Sequence, residues 1–240
     1  MKLQYLGDRR DFYKYDLLVE LGRSLRPPGG LTVIPMLTAG DDTGEGNLRR
    51  YRRRHRDPEL HAFVQSLQRN DPGEIKRVAE FLTAHAAPTH FMPEGYLQAT
   101  ARGDYFAAIC AQNLKDSLVF LDPDTGLEVD SKRNERYLHY AELRDLAARA
   151  SGDSVFVVYQ HKHRMQPQQF FDLLRARLLG RSGIACVAMV DMGDIAFLVT
   201  ALAPDRFEQV CGVLTSYITS RRIRRPLFRS KGGQPQCDRS

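Results

Sequence analysis

Hydrophobic and polar positions alternate along this chain in two rhythms. Short uninterrupted apolar runs bounded by turn residues predict strands buried on both faces. They are Leu31-Thr32-Val33-Ile34-Pro35-Met36-Leu37, Leu118-Val119-Phe120-Leu121, Ser154 through Gln160, Ile184 through Val190, and Asp194 through Thr200. Pro35 weakens the first or places it near a sheet edge. Between them, apolar residues recur at helical spacing. Phe12, Tyr15, Leu18 and Leu21 mark a helix that Asp11 is placed to cap. Leu60, Phe63, Val64 and Leu67 mark a second, and Ile75, Val78, Ala79 and Leu82 a third. Further helices are predicted over 105–114, 140–150, 167–179 and 205–216.

Strands that alternate with helices specify an α/β fold. The expected form is a three-layer, Rossmann-like domain with a mostly parallel sheet. The last two strands are separated only by a Met192-Gly193 turn and are expected to pair antiparallel. A helical insertion over about 48–100 interrupts the early sheet and suits a lid or subdomain. One domain is expected over 1–225, followed by a flexible basic tail over 226–240 rich in Gly, Gln and Arg. No apolar stretch reaches membrane-spanning length, and the N-terminus lacks a signal-peptide apolar core, so a cytoplasmic location is expected. The four cysteines are scattered and form no CxxC pair, which argues against a disulfide framework or a zinc knot.

Charge changes the picture. The chain carries a net charge of +6, and the surplus is concentrated. Arg49, Arg50, Arg52, Arg53 and Arg54 form one block with Tyr51 interleaved, and Arg221-Arg222-Ile223-Arg224-Arg225 another. Guanidinium groups pair bidentately with phosphates, so the blocks point to nucleic acid. A solvated helix face is the plainer alternative.

The best site candidate is the turn that ends the second strand, Asp122-Pro123-Asp124-Thr125-Gly126. Pro123 stops the strand, and Asp122 is then held at its carboxyl end, where open α/β sheets place their ligands. A Gly-rich loop, Thr38 through Asn47, follows the first strand and suits a ribose or a cation as well as a plain turn. Asp122, Asp124 and Glu128 lie close together in sequence, and His161 ends the neighbouring strand. Carboxylates with an imidazole suit Mg²⁺ or Mn²⁺, which would activate water for a nuclease or phosphoesterase. An Asx-type turn that caps the next segment is the structural alternative.

The element order resembles the class I S-adenosylmethionine-dependent methyltransferases, and within them the bacterial rRNA adenine-N6 methyltransferases. Gly7-Asp8-Arg9-Arg10-Asp11-Phe12-Tyr13-Lys14 is similar to that family's opening Gly-polar-Asp-x-x-Lys segment, which implies a site role for Lys14. The loop around Gly40, Asp41 and Asp42 stands where the family binds S-adenosylmethionine. Asp122-Pro123-Asp124-Thr125 stands where the family has Asp-Pro-Pro-Tyr, whose acid takes the target amine and whose ring stacks on the flipped base. Met36 replaces the family's acid at the end of the first strand, and Thr125 replaces the stacking ring, a part that Tyr159 is placed to take over. Three readings follow: N-methyl transfer to nucleic acid with Asp122, Asp124, His161 and Lys14 at the site; a metal-dependent nuclease on Asp122, Asp124 and Glu128; and a non-catalytic nucleic-acid-binding module.

Overall fold

The computed structural model describes residues 1–40, 57–130, 134–162, 164–223 and 226–230. The chain folds as α1 (Arg9–Leu25), β1 (Leu31–Ile34), α2 (Pro58–Ser66), α3 (Glu74–His85), β2 (Thr89–Phe91), α4 (Arg102–Ala107), β3 (Leu118–Leu121), β4 (Gly126–Leu127), β5 (Tyr137–Leu138), α5 (Tyr140–Arg149), β6 (Val155–His161), α6 (Pro167–Ser182), β7 (Ala188–Asp191), β8 (Ile195–Ala201), α7 (Pro204–Ser220) and β9 (Leu227–Arg229). Seven strands form one sheet in the order β2-β1-β3-β6-β8-β7-β9, and β4 and β5 form a small separate ladder. β2, β1, β3 and β6 run parallel; β8 pairs antiparallel with both β6 and β7, and β9 antiparallel with β7. The fold is the expected mostly parallel, Rossmann-like α/β architecture with its antiparallel β7–β8 pair.

Side-chain alternation divides the core into two halves. Leu118 and Phe120 of β3, with Val155, Val157 and Tyr159 of β6, face the layer that holds α1, α3 and α7. Val119 and Leu121, with Phe156 and Val158, face the layer of α5 and α6. The same alternation decides where the next residues point. Asp122 and His161 continue the register of Phe120 and Tyr159, so both turn toward α1.

β1 lies next to the edge strand β2, near the sheet edge as expected, with β3 on its other side. Pro35 falls just beyond its last residue, so its missing N–H costs no ladder bond. The helical insertion is the crossover from β1 to β2. α2 and α3 pack together through stacked Phe63 and Phe81, with centroids 4.1 Å apart, and α3 leads into β2, which joins the main sheet beside β1. Two expectations need correction. The segment from 226, expected as part of a flexible tail, starts in the sheet. Leu227–Arg229 extends the sheet as β9, and Phe228 packs against Phe171 with centroids 5.8 Å apart. Residues 231–240 lie outside the described residues. Finally, α1 is capped by Asp8, whose carboxylate accepts from the backbone N–H groups of Arg10 (2.7 Å) and Asp11 (3.1 Å).

α1 has no solvated face of the usual kind. Lys14 and Asp16, which lie off the apolar stripe of Phe12, Tyr15, Leu18 and Leu21, are both buried. Asp16 takes Arg221 at 2.7 Å and the Tyr217 hydroxyl at 2.9 Å, both from the end of α7. The first arginine of the second basic block is therefore tied into the fold by a buried carboxylate. No helix among the described residues is long and apolar enough to cross a membrane.

Candidate functional site

β1 is flanked by β2 on one side and β3 on the other, which makes its carboxyl end the topological switch point of the parallel half of the sheet. Asp122 leaves β3 at that end. Its N–H is held by the Ile34 carbonyl at 3.0 Å, the last rung of the ladder with β1. The carboxylate turns toward α1 and meets Lys14. Lys14 Nζ lies 2.9 Å from Asp122 Oδ2 and 3.0 Å from Asp11 Oδ1. It also stands 4.6 Å above the Tyr159 ring centroid, a cation–π contact. The other oxygen of Asp122, Oδ1, is buried and has no hydrogen-bond partner among the described residues.

These groups line a small cleft of about 60 Å³, together with Met1, Lys2, Tyr5, Asp8, Arg10, Pro123, Asp124, Arg136 and His161. Asp8, Asp11 and Lys14 fall three residues apart on α1, so one helix face delivers all three to the cleft. His161 Nε2 is 3.1 Å from the Tyr159 hydroxyl, and the His161 N–H donates to the Thr125 carbonyl at 2.7 Å. Arg10 is held by Asp194 at 3.1 Å, and Arg9 reaches the same carboxylate at 3.3 Å.

The electrostatics follow from one buried ammonium serving several carboxylates. Burial works against the charge of Lys14, but Asp122 and Asp11 outweigh it and hold its pKa well above the ordinary lysine value. Lys14 is thus a fixed cation and not a proton acceptor. Burial raises Asp122, with Lys14 pulling the other way. Burial and the Asp11 charge push Asp8 up to about 6. Burial, then the charges of Arg10 and Lys14, press His161 down to about 4, so its imidazole is neutral near pH 7. Burial also raises the Tyr159 phenol.

The structure therefore brings Lys14, Asp122 and His161 to one cleft. Asp124 is there too, but its carboxylate is engaged. The amino group of Met1 lies 2.8 Å from it, Lys2 Nζ 4.0 Å, and the Thr38 hydroxyl donates to it. These partners outweigh burial and hold its pKa below the usual carboxylate value. The proposed metal trio does not form. Glu128 sits beyond the turn on β4's far side, where its carboxylate accepts from the Tyr140 N–H at 3.1 Å and its own N–H joins Leu138. Among the described residues no group of three His, Cys, Asp or Glu side chains is arranged to hold a metal ion. Tyr159 does not replace the missing stacking ring either, because Lys14 covers its face and the residue is buried.

At the end of β1, Met36 is wholly buried. Its N–H donates to the Tyr105 hydroxyl at 3.0 Å, and its carbonyl accepts from the Met1 amine at 3.1 Å. The Leu37 carbonyl takes Leu97 N–H, and the Thr38 N–H goes to the Met1 carbonyl. The main-chain groups that would cradle a nucleoside are thus spent inside the fold. Gly40 backs onto Gln4, whose Oε1 would lie 2.8 Å from an added Cβ. Asp41, Asp42, Arg49, Arg50, Arg52, Arg53 and Arg54 lie outside the described residues.

Sequence reading missed much of the lining. Asp8, Arg10 and Asp11 stand in the segment that pointed to Lys14, and their shared helix face with it is a usable signal. Met1, Lys2, Tyr5 and Arg136 carry no periodic or motif signal. Gln160 was also unmarked. It faces the turn, accepting from Leu127 N–H at 2.8 Å and donating to the His161 carbonyl at 2.9 Å. Gly126, at φ +131°, leaves space for it, since an added Cβ would fall 2.4 Å from Gln160 atoms. Gly126→Ala is expected to cost about 2 kcal/mol through backbone strain and displacement of Gln160. Urea unfolding checks this, and an unchanged midpoint would show the turn to be slack. Comparison with models of protein families, with curated proteins and with solved structures finds no match to this chain.

Proposed function

We propose that this chain is a nucleic-acid-binding protein on a methyltransferase-like α/β scaffold, and that Asp122 receives the amine edge of a base. One observation carries the reading: Asp122 lines a cleft at the switch point of the sheet, and its buried Oδ1 has no partner among the described residues. An unpaired buried acceptor costs free energy until a donor reaches it. Lys14 holds the second oxygen and leaves Oδ1 for a ligand N–H. The element order, parallel strands followed by the antiparallel pair β7–β8, supports the scaffold, and the net positive charge supports the partner.

The size of the cleft limits what enters. At about 60 Å³ it is far below the roughly 300 Å³ at which pockets begin to engulf a drug-sized ligand. An exocyclic amine and the edge that bears it fit; a whole nucleoside does not. Since the main-chain groups of Met36, Leu37 and Thr38 are bonded inside the fold, the reading is recognition of the base, and no methyl-transfer step is derived.

The test is base discrimination. Adenine and cytosine carry an exocyclic amine that thymine lacks. In fluorescence anisotropy with single-stranded dA, dC and dT oligonucleotides, the wild type is expected to favour dA and dC over dT by about tenfold or more. In Asp122→Asn the amide oxygen faces Lys14 and the NH₂ group takes the place of Oδ1. The cleft then presents a donor to a donor, and the preference disappears. Equal wild-type affinity for all three oligonucleotides would refute the reading.

A further inference from the structure

Among the described residues, one cation lining the cleft has no carboxylate partner; the Lys2 ammonium, like the Met1 amine, faces Asp124. Lys14 is shared by Asp11 and Asp122, Arg10 is held by Asp194, and the Met1 amine is held by Asp124. Arg136 also lines the cleft, and its side chain is exposed. Among the described residues no carboxylate pairs with it; only its backbone is bonded. That backbone is fixed to the Asp122 turn. The Thr125 N–H donates to the Arg136 carbonyl at 3.0 Å, and the Arg136 N–H donates to Asn134 Oδ1 at 3.1 Å. The next two residues, Tyr137 and Leu138, are β5, paired with Gly126 and Leu127 of β4. The guanidinium at the mouth and the free oxygen on the floor therefore belong to one hydrogen-bonded unit.

Resting on the nucleic-acid reading above, we propose that Arg136 is the phosphate clamp of this site. It seats a backbone phosphate of the nucleotide whose base amine reaches Asp122 Oδ1. The chemistry is complementary at both ends: an acceptor for an N–H donor at the closed end, and a planar bidentate donor for a phosphate at the open end. The ion pairs on the other cleft cations leave Arg136 to supply this contact. Arg136 positions the strand without reading the base, whereas Asp122 reads the base, so the two residues have separable signatures.

The experiment is a salt titration of single-stranded dA and dT oligonucleotide binding to wild type, Arg136→Gln and Arg136→Lys. Arg136→Gln is expected to weaken binding about tenfold at low salt and to flatten the slope of log K against log salt by about 0.7, the value for one phosphate on a single strand. The dA-over-dT preference is expected to stay, because the floor is untouched. Arg136→Lys keeps the charge and is expected to keep most of the slope. The side chain is exposed, so circular dichroism of all three proteins should coincide. Wild-type binding with the base preference, but with Arg136→Gln unchanged in affinity and slope, overturns the phosphate clamp and leaves the base reading standing. No wild-type binding at low salt overturns both.

Discussion

Lys14→Met is expected to destabilise the protein by about 3–5 kcal/mol, the largest effect of any single change at the site. The physical reason is the asymmetry of buried ion pairs. Asp11 and Asp122 are both buried and both take their charge partner from the same ammonium. Removing it leaves two carboxylates in a low-dielectric setting, with only the Gly7 N–H still on Asp11 at 2.9 Å. Methionine keeps the length of the stem and its packing on Tyr159, so the loss reports charge and not volume. The defect is expected to shrink as pH falls, since the orphaned carboxylates take up protons in the folded variant at a higher pH than in the unfolded chain. A second change tests the cause. Asp122→Leu on the Lys14→Met background removes one uncompensated charge and should recover part of the lost stability. Urea unfolding at pH 7.5 and pH 5 measures all of this. A loss below about 1 kcal/mol, or one independent of pH, would show that the ammonium is not what balances the cluster.

The same cluster shows which parts of this protein the sequence makes legible. β3 and β6 read as strands because both their faces are covered, so Leu118 through Leu121 and Val155 through Tyr159 are unbroken by charge. Asp122 was legible for the same reason: a charge directly after such a run has to be placed by the fold. Helix α3 was found with its observed ends, since it shows one apolar face and one wet one. α1 was found but misread. It is covered on nearly every side, and its polar residues are inside because each has a counter-charge from a distant element: Asp122, 108 residues away, for Lys14, and Arg221, 205 away, for Asp16. Such pairings leave no periodic trace. The resemblance to the methyltransferases supplied Lys14 where periodicity did not. Glu128 failed for the opposite reason. Proximity in sequence suggested a shared site, but Gly126 turns the chain so that Glu128 serves the start of α5. β2 and β9 are three residues each at the two edges of the sheet, half exposed and partly polar, and their strand character comes only from the ladder partner.

Two neighbours in the cleft, Asp8 and His161, are shifted in opposite directions, and their pH effects on stability are expected to hide one another. Asp8 moves from 3.8 to about 6 because burial and Asp11 oppose its charge. Between those values the folded protein holds a proton that the unfolded chain has released, so this group alone makes stability fall as pH rises. His161 moves from 6.5 to about 4 because burial, Arg10 and Lys14 oppose its charge. Between those values the unfolded chain binds a proton that the folded protein refuses, so this group alone makes stability rise with pH. Each shift corresponds to about 3 kcal/mol. Together they nearly cancel from pH 4 to 6. Asp8→Asn keeps an oxygen to cap α1 and removes one side of the balance. Relative to wild type, its unfolding free energy is expected to drop by about 2 kcal/mol as pH is lowered from 6 to 4. His161→Gln, which keeps a partner for the Tyr159 hydroxyl, is expected to gain on wild type over the same descent. The remaining carboxylates titrate alike in all three proteins and drop out of the comparison. Parallel pH profiles for the three proteins would mean that neither group is held in the protonation state that the cleft geometry imposes. Opposite slopes would identify Asp8 as the member of the acidic cluster that carries a proton at mildly acidic pH.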